Sequence, residues 1–478
     1  TFYGDAHYNT ANTFTSAGHA TLATGTDAAG HGIVSNDWFD RDSGKSIYCV
    51  ADTGSPVVGG AGKPVSPAML LAPTLGDALL AARPGSRVFA VAGKDRSAIL
   101  PGGKQGKAYW WLESTGGFGS SRYYETELPG WIAAWNATKP IDRYRSATWT
   151  PLSATESPEA LANPHARPPA ALGRSFPHPL LEKSDKLFFN AFQYTPFFDE
   201  LIAAFARELI VREKLGRGAA PDYLAISFSG HDYIGHAYGP ESPEYRDSLV
   251  RLDRVLAELL AVVEREVGLE RTLIVLSSDH GSGDIPEKPE LRAARAGRIH
   301  PDKLRAAANV ALRASLKVDT DLITAFVPPG FYLDRAKLGA LGLPLSRVEE
   351  ALATHLRTEP GIAAAYSRTT LGGPVDAADP LFAPTRRAFF ATRSGDVVVV
   401  QARGWYMYPD PEIYAAMHGS PYDYDTHVPI LLAGPGVRAA TTVSARVMPT
   451  QIVPTLAHLL GIQPPAKATA EVLPGVRR

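Results

Sequence analysis

TLIVLSSDHG, residues 272–281, sets a short apolar run, Leu273 to Leu276, directly ahead of two hydroxyls, a carboxylate and an imidazole. A run this short and apolar on both faces reads as a strand covered from both sides. Three further stretches repeat the pattern: RVFAVAGKDR at 87–96, YLAISFSGHD at 223–232 and VPILLAGPG at 428–436. Helical patterns lie between them, so they are predicted to be buried parallel strands and the fold class to be α/β. In such sheets, sites form beyond the carboxyl ends of the strands, where the polar tails of three of these runs fall.

The helices follow from 3.6-residue spacing. Within SPEYRDSLVRLDRVLAELLAVVEREVG, Leu249, Leu252, Leu256, Leu259 and Val263 step by three or four residues, predicting one apolar stripe, with Asp253, Arg254 and Glu258 solvated. Thr195 and Pro196 predict a helix start, cap then proline, running to about Lys214. Near the beginning, TSAGHATLATG predicts a helix ending at Gly25 with the Thr15 hydroxyl at its N-terminus. The first amides there lack internal partners and the dipole is positive, which suits a bound anion, although a hydroxyl in that position is most often only a cap. A second polar candidate, Asn36, follows in HGIVSND.

Composition narrows the partners. The 478 residues carry a net charge of -1, and Lys and Arg form no block, so neither nucleic acid nor an anionic membrane surface is expected. No run of apolar residues is long enough to span a bilayer, and membrane insertion is not expected. The single cysteine, Cys49 in SIYCVAD, is predicted to be a buried strand residue, not a reactive thiol. Thr1 is read as a processed or truncated start, from which a secretory signal would have been removed.

Two segments depart from the strand-helix rhythm. Residues 98–194 hold Trp110, Trp111, Trp131, Trp135 and Trp149, five of the seven tryptophans, and a proline-rich stretch at 151–179. They are expected to form a cap insertion whose aromatics are mostly core. Residues 305–410, with LITAFVPPGFYL, SRVEEALATHLRT, GIAAAYSR and DVVVVQARGWY, are expected to form a small α+β subdomain. The catalytic core then comprises 1–97, 195–304 and 411–478.

Acidic and histidine residues gather at the predicted strand ends. Asp232 and His236 are spaced i,i+4 in HDYIGH, Asp279 and His280 end TLIVLSSDHG, and His427 sits in DYDTHVP just before the last run. Mixed oxygen and imidazole donors suit zinc, or another divalent cation. Lys94 and Arg96 add two cations at the same sheet edge, and an arginine can clamp two oxygens of a phosphoryl group.

In this order, TSAGHATLATG, HGIVSNDW with Asn36, GKDR, D-x-x-x-H, DHG and HGSPYDYDTHVPI resemble the alkaline phosphatase superfamily along essentially the whole chain. The resemblance is to its threonine-nucleophile, phosphate monoesterase branch, related to the nucleotide pyrophosphatase/phosphodiesterases. It implies a three-layer core around a central, mostly parallel sheet and an alkaline phosphatase that forms a phosphothreonine on Thr15. It further implies two Zn2+ ions, one held by Asp232, His236 and His427, the other by Asp279, His280, Thr15 and an aspartate from a first strand. Asn36, Lys94 and Arg96 would bind the phosphoryl oxygens. Small phosphate esters would be the substrates, the protein would be periplasmic or secreted, and it would be a monomer or homodimer. Asp5, in the polar GDAHYN, is not taken as the first-strand ligand.

Two other readings stay open. A phosphodiesterase of the same fold would act on diesters, and a metal-depleted relative would bind without catalysis. A sulfatase is not expected, because Cys49 is followed by Val-Ala-Asp and lacks the C-x-P-x-R setting.

Overall fold

A computed structural model describes residues 1–153, 163–181, 184–410 and 412–476; part of the proline-rich stretch, 154–162, lies outside them. Two sheets carry the core. The first has five strands in the order Tyr223–Ser227, Val88–Ala92, Lys107–Leu112, Gly117–Ser121, Val57–Val58. Its first three are parallel and the rest antiparallel. Ser227 lies opposite Ala92, so the GHD and GKDR segments leave the sheet side by side.

The second sheet runs Ile274–Ser277, Ile430–Ala433, Phe2–Tyr3, Thr442–Val443. Here the predicted parallel direction fails for one pair: Ile274–Ser277 and Ile430–Ala433 are antiparallel, with Ser277 opposite Ile430. An apolar run reports burial, not direction. Ile430–Ala433 in fact alternates buried and exposed residues, the mark of a strand covered on one face. Tyr223–Ser227 and Ile274–Ser277 are edge strands of their sheets, and both are only half-buried despite their sequences.

The helix Thr15–Thr24 is buried on nearly every side, packs against the helix Asp95–Gly102, and ends at Gly25 in the left-handed region, φ 70°. Gly18 is what lets it come so close to the second sheet: a β-carbon there would lie 2.1 Å from the Asp279 carbonyl oxygen.

Strands Lys107–Leu112 and Gly117–Ser121, inside the 98–194 segment, extend the core sheet and bury Trp110 and Trp111. Beyond them, Trp131 and Trp135 pack on Phe205 and Phe118 as core aromatics. Residues 301–407 hold a four-stranded antiparallel sheet, ordered Ile323–Val327, Gly330–Leu333, Val397–Gln401, Ile362–Ser367. It shares an apolar core with helices Pro301–Leu316 and Leu345–Leu356.

Two helix details differ from expectation. The helix Pro243–Glu266 buries Glu244, Asp247, Ser248, Val255 and Leu259, while Leu249 is 43% exposed. Its first turns face a polar partner, because the Asp247 carboxylate accepts from Trp149 Nε1 at 2.6 Å and from the Leu152 amide at 2.6 Å. Thr195 is not a cap: its hydroxyl donates back to the Phe192 carbonyl, and the helix Phe197–Arg212 begins two residues later. Among the described residues, no helix is long and apolar enough to cross a membrane.

Candidate active site

The site forms around the first turn of Thr15–Thr24. Phe14, in extended conformation, occupies the cap position without a side-chain hydrogen bond, so Thr15 is the first helical residue and its hydroxyl does not cap. Thr15 is 3% exposed, and its Oγ1 lies 3.4 Å from His280 Nε2. The next amide, of Ser16, donates to Asn36 Oδ1 at 3.0 Å, which fixes that side chain and leaves its Nδ2 donors for a ligand.

Three imidazoles converge on Asp232, each held through Nδ1 by a main-chain oxygen. His236 Nδ1 is 2.9 Å from Ala416 O, His280 Nδ1 is 2.8 Å from Gly281 O, and His418 Nδ1 is 2.6 Å from Thr13 O. Nδ1–H donation to a carbonyl leaves the Nε2 lone pair for a cation. His236 Nε2 sits 3.5 Å from Asp232 Oδ1, four residues back on the helix Gly230–Tyr238. Donor atoms of Asp232, His280 and His418 all lie within 4.8 Å of one another. His280 and His418 stack at 3.4 Å between ring centroids, and Tyr414 stacks on His236 at 4.6 Å.

Asp279 completes the cluster: its Oδ2 is 3.3 Å from His280 Nε2 and 3.0 Å from His19 Nδ1. His19, one turn beyond Thr15, also reaches Ser227 Oγ at 2.9 Å, so it ties together the ends of both edge strands. Nothing in the sequence singles out His19, because its i+4 spacing from Thr15 is that of ordinary helix packing.

His427 does not join the cluster. Its Nε2 is 3.0 Å from the Gly4 carbonyl, its ring stacks on His7 at 4.5 Å, and it is exposed. His418, nine residues earlier, stands where His427 was expected to ligate. The short helix Asp423–Thr426 turns the chain between the two, so only the first histidine of HGSPYDYDTH faces Asp232. Asp5 pairs instead with His7 at 3.1 Å and Arg446 at 3.4 Å.

The cations stand at the adjoining edge. Lys94 Nζ forms an ion pair with Asp232 Oδ2 and lies 4.5 Å above the Tyr233 ring. Arg96 Nη1 donates to the Tyr48 hydroxyl at 3.1 Å. A cavity of about 40 Å3 opens between Thr15, Lys94, Asp232, Asp279, His280 and His231.

The charge states suit metal binding. Burial raises the Asp232 carboxyl, but Lys94, His236 and His280 outweigh it and hold it well below the usual carboxylate range. Asp279 is likewise raised by burial and brought down, past its ordinary value, by His280 and His19. Burial, then His280 and His236, push the His418 imidazole well below its ordinary value. Carboxylate oxygens and imidazole nitrogens gathered this closely fit a divalent cation with nitrogen and oxygen ligands.

The architecture is that of the alkaline phosphatase superfamily. A solved structure of the alkaline phosphatase PafA matches 100% of this chain and 92% of its own with a TM-score of 0.87, at 27% identity. The chain belongs to the type I phosphodiesterase / nucleotide pyrophosphatase family, whose model matches residues 1–421. Among its relatives, the alkaline phosphatase PhoV of Synechococcus elongatus is 30% identical over 96% of this chain and 84% of its own length. The alkaline phosphatase PafA of Elizabethkingia meningoseptica is 29% identical over 98% and 86%. Murine ectonucleotide pyrophosphatase/phosphodiesterase 5, at 17% identity and a TM-score of 0.54, shares the fold.

Proposed function

We propose that the chain is a phosphate monoester hydrolase, an alkaline phosphatase, that transfers the phosphoryl group to Thr15 before hydrolysis. The observation that carries this is a buried, uncapping hydroxyl at a helix N-terminus, 3.4 Å from an imidazole of a carboxylate-histidine cluster. The alkaline phosphatase relatives support it.

Asp232, His236 and His418 would hold one divalent cation, and Asp279, His280 and Thr15 would contribute to a second, with zinc favoured by the donor set. When bound, these cations would acidify the Thr15 hydroxyl and balance charge on the leaving oxygen. Thr15 attacks phosphorus, forming one P–O bond as the ester P–O bond breaks and the alcohol departs; water then cleaves the phosphothreonine. The Ser16–Asn36 contact orients the Asn36 amide toward the nonbridging oxygens. With a cation held there, Asp232 would serve as a ligand and Lys94 would join Arg96 in countering the extra charge of a monoester. Substrates would be small phosphate esters met in the periplasm or outside the cell.

Two experiments test this. With labelled monoester quenched in acid, wild type is expected to trap a phosphoprotein and Thr15→Ala none; undiminished labelling of the variant overturns the assignment of Thr15. Lys94→Ala with Arg96→Ala is expected to lower monoester kcat/KM at least 100-fold more than diester kcat/KM. Equal losses would favour a phosphodiesterase, an activity named in the family's description.

A further inference from the structure

Arg96 does not hold itself in place. Its Nη1 donates to the Tyr48 hydroxyl at 3.1 Å, while that hydroxyl donates to Asp95 Oδ1 at 2.5 Å. The same Asp95 Oδ1 accepts the Arg96 amide at 2.6 Å. Arg96 Nε is buried and has no hydrogen-bond partner among the described residues, an open donor on an otherwise tethered guanidinium.

Tyr48 reaches this point from the far end of a hairpin, Asp37–Asp40 against Lys45–Tyr48, in which Tyr48 lies opposite Asp37. The hairpin starts one residue after Asn36, and the Cys49 amide donates to the Asn36 carbonyl at 2.9 Å, closing it. One rigid hairpin therefore carries Asn36 at its first strand and the acceptor for Arg96 at its last. Asn36 and Arg96, two of the three groups assigned to phosphoryl oxygens, come from separate parts of the chain, and Tyr48 connects the hairpin after Asn36 to Arg96.

We propose that Tyr48 is a positioning residue, whose hydroxyl, bonded to Asp95, sets the Arg96 guanidinium in register with Asn36 and gives the site its preference for dianionic phosphate. The proposal rests on the reading of Arg96 as a phosphate contact. Tyr48 donates its proton to Asp95, so both of its oxygen's roles, donor to a carboxylate and acceptor from a guanidinium, are filled at once. Phenylalanine keeps the ring and its packing but removes both bonds. The guanidinium then loses its fixed geometry, and a bidentate grip on phosphate depends on that geometry.

The test compares Tyr48→Phe, Arg96→Ala and the double variant, using inorganic phosphate as competitive inhibitor and 4-nitrophenyl phosphate and bis(4-nitrophenyl) phosphate as substrates. Tyr48→Phe is expected to raise the phosphate inhibition constant and the monoester KM about tenfold, the scale of a hydrogen bond to a charged group. Diester kcat/KM is expected to stay within twofold, and the double variant to be no weaker than Arg96→Ala. Should Tyr48→Phe fail to fold, Asp95→Asn removes the anionic acceptor of the same hydroxyl and is expected to shift the phosphate constant in the same direction. An unchanged phosphate constant in Tyr48→Phe, with a raised one in Arg96→Ala, overturns the role of Tyr48 alone. If Arg96→Ala leaves the constant unchanged, the Arg96 reading falls and the role of Tyr48 falls with it. Equal losses on monoester and diester mark a general structural defect and also overturn the proposal.

Discussion

Two histidines of one motif part company at the level of single residues. His418 has its Nδ1 committed to Thr13 O and its ring stacked on His280, whereas His427 is exposed and bonded to Gly4 O. His418→Ala is therefore expected to lower bound zinc from about two equivalents to about one, measured by atomic absorption after dialysis, with His427→Ala unchanged. The reverse ranking would return the ligand role to His427. Chelation gives an independent readout: a cation bound only by the native state stabilises it, so EDTA is expected to lower the melting temperature of wild type and to lower that of His418→Ala by less. No spacing rule could choose between these histidines, since both lie on the stretch between the strands Trp405–Met407 and Ile430–Ala433. What separates them is the turn at Asp423–Thr426.

Among the secondary elements, the Thr15–Thr24 helix depends on close approach to the strand end at Asp279. A methyl group at Gly18 would meet the Asp279 carbonyl oxygen at 2.1 Å, against backbone that cannot swing away. Gly18→Ala is expected to cost about 2 kcal/mol by chemical denaturation, in the range of overpacked cores, and to cut phosphoprotein formation because Thr15 and Asp279 move apart. An unaltered denaturation midpoint would show that the helix can slide. Sequence spacing served well for the Val88–Ala92 strand and for the i,i+4 pair Asp232 and His236, which share the helix Gly230–Tyr238. It missed only the first turns of Pro243–Glu266, where Leu249 is exposed and Asp247 is buried by bonds to Trp149 and Leu152, about a hundred residues away. Periodicity counts apolar side chains; a buried carboxylate with distant donors is invisible to it.

For the whole molecule, the four-stranded antiparallel sheet of residues 301–407 is fastened to the hairpin that follows Asn36. Asp396, fully buried, accepts from Arg335 at 2.5 Å and from the Leu333 amide at 2.8 Å, and pairs with Arg41 of that hairpin at 3.1 Å. Nearby, Arg393 donates to the carbonyls of Gly32 and Met69 at 2.5 and 2.8 Å and covers the Trp38 ring at 4.9 Å. Removing a buried partner leaves its cations uncompensated, so Asp396→Ala is expected to destabilise by about 3 kcal/mol in urea unfolding and to loosen the hairpin that carries Asn36. A loss of under about 0.5 kcal/mol would mean that the arginines find water instead. The sequence by itself determined the α/β class, most of the core strands, the nucleophile candidate and the types of ligand, because apolar runs, helix ends and donor chemistry are local properties of adjacent residues. Tertiary structure alone decided strand direction in the second sheet, the meeting of His418 and not His427 with Asp232, the contacts of His19 and Tyr48, and the join between the 301–407 sheet and the hairpin after Asn36. Each of these is set by which distant segments meet, and contacts across hundreds of residues leave no mark on local spacing.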